Sequence, residues 1–217
     1  MSEWWTYRLS DFLMFSARTY YRLFELYNTE IWPAHGVALG LGLGISIASL
    51  TRRPGAARAV GWTLAACWLW VAWAFHLQRY ADINSAAPWF AAAFAVEALL
   101  LLGSGVLGAG WRLQAGRDRR STVGVGLLLF AIWLQPGLGA LLGRPWQQAE
   151  VFGLAPDPTA LATLGWLVWT RPAHPPRNAH PAAALPWLLL SRMTMGMPQL
   201  TSTLRCNFVA SPALLVA

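Results

Sequence analysis

Six apolar segments recur along the chain, and they constrain its fold more than any other feature. A helix needs about 20 apolar residues to cross the hydrocarbon core of a bilayer. Helices are the only spanning choice here, because the alternating pattern of a barrel strand is absent. The sequence therefore predicts an all-α membrane protein, a bundle of about six transmembrane helices. The predicted spans are residues 34–50, 60–77, 86–108, 122–143, 154–170 and 183–199.

The composition supports lipid as the main solvent of the chain. Hydrophobic residues make up 56% of the sequence and charged residues 12%, against roughly 25% charged residues in soluble domains. The net charge of +7 comes from arginines in short loops and not from a basic face with a recognisable motif, so nucleic acid is not a predicted partner. The two cysteines, Cys67 and Cys206, form no CxxC pair and indicate neither a disulfide framework nor a zinc site.

The first 33 residues form an amphipathic segment, and residues 34–217 are predicted to form a single transmembrane domain. Phe12, Phe15, Tyr20, Phe24 and Tyr27 fall near one helical face. This pattern predicts either an interfacial helix on the membrane surface or a helix that caps the bundle. The segment has no basic start and no uninterrupted apolar core, so we expect no cleaved signal peptide.

The arginines in the loops predict the orientation of the chain. The loops that follow the first, third and fifth apolar segments carry nine arginines, and the intervening loops carry two, Arg79 and Arg144. Arginine-rich short loops stay in the cytoplasm. The sequence therefore predicts a multi-pass protein of the inner membrane with both termini in the periplasm.

Glu97 places a carboxylate near the middle of the third apolar segment, "FAAAFAVEALLLLG". An ionisable group at this depth is costly and is by default a candidate functional residue. Counting helical rise puts Glu97, Cys67, Thr163 and Arg192 at similar depths, about 10 to 17 Å from the inner ends of their spans. One hypothesis is an ion pair between Glu97 and Arg192. The other is a protonated Glu97 that hydrogen-bonds to Thr163 or to a free carbonyl.

Two other segments could pack helices or interrupt them. Gly36, Gly40 and Gly44 form a stripe of small residues, which predicts close helix packing more strongly than an opening for substrate. In "WLQPGLG", Gln135 precedes Pro136, which removes a helical hydrogen bond and could mark either a structural kink or a transport site.

The fifth apolar segment begins with "FGLAPDPTALATLG". Its Asp157 and Pro158 are expected to be the N-cap and the first helical residue. A helix from Pro158 to Thr170 is about 20 Å long and short for a full crossing. Either residues from Leu154 complete the span as a non-helical lead, or this is a half helix.

No set of residues indicates a catalytic or metal site. His35 and His76 are expected near the outer surface as interfacial or solvated side chains, and His174 and His180 lie in an inner loop. No spacing predicts convergent metal ligands, and no nucleophile, base and orienting group stand together. Enzymatic activity is therefore not favoured, and the sequence leaves any cofactor open.

The stretches "DFLMFSARTYYRLFELYN", the following "WP", and "FGLAPDPTALATLG" resemble an uncharacterised family of bacterial integral membrane proteins, domain of unknown function 6064. The resemblance covers nearly the whole chain. That family usually has Cys at the position of Asp157, and Arg192 lies in a C-terminal part, residues 191–217, that departs from the family pattern. The resemblance implies a polytopic inner-membrane protein and supplies no established activity.

The sequence is compatible with three functions. A permease for a small solute or ion is favoured, because Glu97, the interrupted fourth span and the short fifth span occur together. The alternative is a non-catalytic subunit or scaffold of a larger membrane complex, with a membrane protein or a second copy of the chain as partner. The third is a membrane enzyme or redox subunit.

Overall fold

The computed structural model describes residues 17–51, 55–106, 111–113 and 119–172. Arg192, the sixth apolar segment and most of the C-terminal region lie outside the described residues. Apart from turns and loops, the described chain is helical except for one short two-stranded ribbon. Its helices are α1 (Ala17–Glu30), α2 (Trp32–Thr51), α3 (Ala56–Trp70), α4 (Ala87–Val106), α5 (Arg119–Leu129), α6 (Gln135–Leu141) and α7 (Pro156–Trp169).

Two of these helices continue through π-helical turns. Helix α3 runs on through a π-helix at Val71–Leu77 and is followed by a 3-10 turn at Tyr80–Asp82. Helix α5 is joined to α6 by a π-helix at Phe130–Leu134, which ends two residues before Pro136. A second 3-10 turn lies at Trp146–Gln148.

Three helical segments are long and apolar enough to cross a membrane among the residues described. They are Trp32–Thr51, Ala56–Asp82 and Arg119–Leu141, of 20, 27 and 23 residues. The apolar part of α4, Ala87–Gly103, is shorter, and α7 has 14 residues. The structure thus supports a helical bundle with three candidate spans, and the count of six remains a prediction.

Large apolar side chains cover the outside of the bundle. On α2, Leu39, Leu43, Ile47 and Leu50 are exposed by about half or more. Such a continuous apolar exterior is unusual for a protein in water and marks a surface that contacts lipid or another protein. The core inside it is aromatic and tightly buried, with Trp68, Phe75, Phe94 and Trp166 at or below 1% exposure.

Helix α1 packs on the end of the bundle with its aromatic face. Tyr20, Phe24 and Tyr27 are buried. The Phe24 ring stacks on Phe75 with centroids 5.0 Å apart, and Tyr27 meets the edge of the same ring at 5.6 Å. Aromatic pairs of this kind contribute about 0.5–1.5 kcal/mol each beyond the area they bury. Of the two predicted roles for this helix, the structure supports a helix that covers the end of the bundle, because the aromatic face of α1 contacts protein.

The ribbon joins the two connections that follow α4 and α7. Strand β1 (Trp111–Leu113) pairs antiparallel with β2 (Thr170–Pro172), so that Arg112 lies opposite Arg171. The Arg120 Nε also donates to the Val168 carbonyl at 2.9 Å. Two of the arginine-rich connections therefore share one end of the bundle, and α1 covers the other end.

Helices α5 and α7 cross at a pair of glycines. A Cβ atom added at Gly165 would lie 2.6 Å from the Leu128 backbone nitrogen and 2.7 Å from the Gly124 carbonyl oxygen. No side chain fits there, because the nearest atoms belong to the backbone of the facing helix. This close approach places α7 in the centre of the described bundle, where most of its residues are buried.

Candidate functional site

Glu97 lies at the middle of α4 with its side chain inside the bundle. The residue is 1% exposed, and neither carboxylate oxygen has a hydrogen-bond partner among the residues described. One turn earlier on α4, the Phe94 ring packs against Trp68 of α3 with centroids 4.3 Å apart. The acid therefore follows an aromatic contact between α3 and α4 in the interior of the bundle.

His76 is the second buried polar side chain against α4. It lies in the π-helix that extends α3 and is 4% exposed, so the prediction of an interfacial or solvated histidine was wrong. Its ring also contacts Phe94, with the two ring centroids 4.6 Å apart. Neither ring nitrogen has a hydrogen-bond partner in the described part of the chain. Burial follows from the aromatic surroundings, Phe75, Tyr80, Phe90 and Phe94, which come from two separate segments.

Thr163 does not hydrogen-bond to Glu97, contrary to one of the two hypotheses. Its hydroxyl donates to the Thr159 carbonyl at 2.9 Å and accepts from the Trp68 indole at 2.8 Å. The hydroxyl of Thr159 in turn accepts from the Gly153 backbone N–H at 3.0 Å. These bonds tie α7 to α3 and to the segment before α7, and they leave Thr163 in a structural role.

Residues 151–155, called the lead below, form a largely buried non-helical segment before α7, and both alternatives for the fifth span remain predictions. Phe152, Leu154 and Ala155 are 5% exposed or less. The Leu154 carbonyl accepts a hydrogen bond from the Tyr27 hydroxyl at 3.1 Å, and the Ala155 N–H donates to the Val151 carbonyl at 2.9 Å. Irregular backbone in an apolar interior needs such internal partners.

The start of α7 differs from the predicted cap. The helix begins at Pro156, its N-cap is Ala155, and no side chain caps it. Asp157 and Pro158 therefore lie inside the first turn rather than at the N-cap and the first helical position. A carboxylate in the first turn is favourable with respect to the helix dipole, but the Asp157 Oδ1 is buried and has no hydrogen-bond partner among the described residues.

Cys67 and Gly153 are in direct contact at the lead. A Cβ atom on Gly153 would lie 3.0 Å from the Cys67 sulfur, and the glycine has a φ of +78°. Cys67 is buried and is not part of a disulfide. It faces an apolar cavity of about 290 Å³ that Ala38, Leu41 and Trp70 also line.

A polar cluster lies where the lead meets α1. The Arg144 Nη1 is 3.9 Å from the Glu150 Oε1, and the guanidinium lies 4.2 Å from the centroid of the Tyr21 ring. Burial, together with the neighbouring carboxylate of Asp157, raises the pKa of Glu150 to about 8, and Arg144 opposes the rise. Glu150 thus lies between a guanidinium that favours its charge and a second acid that disfavours it.

The predicted glycine stripe lies on the outside of α2. Gly36, Gly40 and Gly44 are exposed, and a Cβ at any of them would meet nothing within 4 Å. The close contact of α2 is made by Gly42, whose Cβ would lie 2.7 Å from Ile132. The stripe therefore remains a prediction for packing against something other than the described chain.

Gln135 and Pro136 lie where the π-helix meets α6. Pro136 takes the start of α6, and the helical path continues through it to Leu141. The Gln135 Oε1 is buried without a hydrogen-bond partner among the described residues. Pairing of Glu97 with Arg192 concerns a residue outside the described ranges and stays a hypothesis.

The comparisons with known proteins agree with the sequence resemblance. The family described as "Family of unknown function (DUF6064)" matches residues 17–176. The chain belongs to this family. The match includes α1, the non-helical lead and α7, and it ends before the divergent C-terminal region. Neither a curated protein nor a solved structure matches the chain, so membership in DUF6064 brings no activity with it.

Sequence reasoning missed the polar cluster and the burial of His76. Arg144, Glu150 and Asp157 lie in a connection and a helix start, and each alone resembles an ordinary loop or cap residue. Only the packing of α1 on the lead brings Tyr21 over Arg144. The density of aromatic residues on both sides of His76 is the one local signal that favoured its burial.

Proposed function

We propose that this protein is a proton-linked permease for a small solute or ion. The observation that carries the proposal is the carboxyl group of Glu97, which is 1% exposed and lacks a hydrogen-bond partner among the residues described. An uncompensated charge at such a position costs several kcal/mol. The position therefore suits a group that is neutral when it holds a proton and that acquires charge only when it passes that proton to an acceptor or when a cation comes near.

Irregular helical segments on either side of the core support this proposal. The π-helices at Val71–Leu77 and Phe130–Leu134 and the non-helical lead before α7 all lie within the bundle. π-helical turns occur often at functional sites, and interrupted helices form the binding sites of many transporters. His76 in the first of these π-helices adds a second titratable group close to Phe94, one turn from Glu97.

The experiment is a screen of currents in reconstituted proteoliposomes. Purified protein is adsorbed on a solid-supported membrane, and amino acids, sugars and inorganic ions are added one class at a time. We expect one class to produce a current that depends on a pH gradient, and we expect Glu97→Gln to abolish it. Wild-type and Glu97→Gln currents that are equal for every class tested would contradict the proposal.

A surface acid serves as the matched control. Glu30 is 60% exposed in its side chain and forms an ion pair with Arg79. Glu30→Gln makes the same chemical change outside the core and should leave the current unchanged. The midpoint of thermal unfolding in detergent should show that Glu97→Gln is at least as stable as the wild type, because the substitution removes an ionisable group from the interior.

A second candidate function is a non-catalytic subunit of a larger membrane assembly. The exposed stripe of Gly36, Gly40 and Gly44 favours it, since small residues allow another helix to approach closely. Gentle purification followed by mass spectrometry should then recover a stoichiometric partner or a homo-oligomer. Gly40→Ile should reduce that recovery while the midpoint of thermal unfolding stays unchanged.

A further inference from the structure

A cavity of about 490 Å³ lies at the end of the bundle where α1 ends and α2 begins. Its lining includes Asn28 and Thr29 of α1, Trp32 and His35 of α2, and Trp146 of the 3-10 turn before the lead. The cavity is separate from Glu97 and from the polar cluster of Arg144 and Glu150. Nothing proposed above depends on it.

Asn28 and Thr29 of the lining use their polar hydrogens in bonds to backbone carbonyls. The Asn28 amide nitrogen donates to the carbonyls of Gln147 and Ala149 at 2.8 and 2.9 Å. The Thr29 hydroxyl donates to the Glu25 carbonyl at 2.8 Å.

His35 likewise uses a ring N–H in a bond to a backbone carbonyl. Its Nδ1 lies 3.2 Å from the Trp32 carbonyl, which can only accept, so Nδ1 carries the proton of the neutral ring. The Nε2 is then an acceptor. Asn28 Oδ1, the lone pairs of Thr29 and His35 Nε2 thus remain to accept hydrogen bonds from a ligand.

Two indole rings, and the lack of charged side chains in the described lining, further restrict the chemistry of the ligand. Trp32 and Trp146 are 73% and 66% exposed, and tryptophan is the aromatic side chain that attracts cations most strongly. Among the residues described, the lining contains no arginine and no acid, so none of these side chains repels a cation. A primary ammonium group fits both features, because it is positively charged and has three N–H donors. A quaternary ammonium could stack on the indoles but has no proton for the three acceptors.

The position of the cavity indicates where such a ligand comes from. Trp32 is the first residue of α2, a candidate membrane span. Trp89 at the start of α4 is also highly exposed, and exposed tryptophans collect at the level of the lipid headgroups. We propose that this cavity binds the primary ammonium group of a phospholipid headgroup.

The test measures lipid retention by native mass spectrometry of the purified full chain. Dioleoyl phosphatidylethanolamine, dioleoyl phosphatidylcholine and free ethanolamine are added separately to the detergent. We expect the ethanolamine lipid to be retained about tenfold more tightly than the choline lipid, the difference that about one charged hydrogen bond makes. Equal retention of the two lipids would overturn the proposal, and retention of free ethanolamine without the lipid would overturn the assignment to a membrane lipid.

Variants of the lining separate the cavity from a general lipid effect. His35→Phe keeps a ring beside Trp32 but removes the acceptor, and it should weaken retention about tenfold. His35→Gln restores an acceptor oxygen and should recover most of the loss. Trp89→Leu removes an interfacial tryptophan outside the lining and should change nothing. An equal loss in Trp89→Leu, or no recovery in a folded His35→Gln, would overturn the proposal.

Discussion

The hydroxyl of Tyr27 donates a hydrogen bond to the carbonyl of Leu154, 127 residues away in the sequence, at 3.1 Å. The same hydroxyl accepts from the Trp70 indole at 3.1 Å. One phenol therefore joins the capping helix α1, the end of α3 and the non-helical lead. Burial raises the pKa of Tyr27 to about 12, so the hydroxyl keeps its proton throughout the physiological range.

Tyr27→Phe should destabilise the protein by about 1–3 kcal/mol, because it leaves a buried carbonyl and a buried indole N–H without their partner. The midpoint of unfolding in detergent measures the loss. Thr63→Val is the control, since the Thr63 hydroxyl is exposed and bonds only within its own helix. A loss in Tyr27→Phe no larger than that of the control would show that this bond does not hold α1 in place.

Glu150→Gln should change how stability depends on pH. The pKa of Glu150 is raised from 4.5 to about 8 on folding, so the folded protein holds this proton more tightly than the unfolded chain. Its contribution is complete below about pH 4.5 and is lost as the pH rises to about 8.

Thermal unfolding midpoints between these two pH values test this point. The wild-type midpoint should fall with rising pH, and the fall should be smaller in Glu150→Gln. Glu25→Gln changes an acid whose pKa the hydrogen bond from Arg22 lowers, and it should keep the full decrease. An unchanged slope in Glu150→Gln would contradict the assignment.

Gly153→Ala should destabilise the lead for two separate reasons. The residue has a φ of +78°, and its new methyl group would lie 3.0 Å from the Cys67 sulfur. The first costs about 1–2 kcal/mol for a residue with a side chain. Gly143→Ala has the same φ with nothing within 4 Å and isolates that backbone cost. In the double variant with Cys67→Ala, the loss should approach that of Gly143→Ala; an unchanged loss would rule out the contact with sulfur.

Gly165→Ala should separate α5 from α7, because the added methyl group would meet backbone atoms of the facing helix at 2.6 and 2.7 Å. Overpacking of this kind costs about 1–3 kcal/mol or more. Gly126→Ala is the matched control on α5, where nothing lies within 4 Å, and a glycine to alanine change should be neutral or stabilising by up to about 1 kcal/mol. Equal stabilities of the two variants would contradict the close crossing.

The sequence alone predicts those features that depend on the residues of a single helix. The length of the apolar run around Glu97 and the rise of a helix are enough to place the acid at the middle of α4. The spacing of Tyr20, Phe24 and Tyr27 likewise defines the buried face of α1. The sequence does not decide whether that face meets lipid or protein, because this depends on the aromatic residues of another segment.

The features that escaped prediction arise where separate segments meet. The spacing of Gly36, Gly40 and Gly44 shows that one face of α2 is small but not what that face contacts. The closest crossing instead uses Gly124 and Gly165, which have no repeat to mark them. Thr163 was grouped with Glu97 by depth alone, and only the fold shows that the Trp68 indole occupies its hydroxyl.

The pairing of β1 with β2 restricts how many times the chain between them can cross a membrane. Because the two strands are hydrogen-bonded neighbours, residues 111–113 and 170–172 must lie on the same side of any bilayer that the protein enters. The chain between them must therefore cross an even number of times. If the continuous helix from Arg119 to Leu141 crosses the membrane once, the lead and α7 must cross it in the opposite direction. They must do so although α7 has only 14 residues. A ribbon of six residues thus requires the number of crossings between its strands to be even.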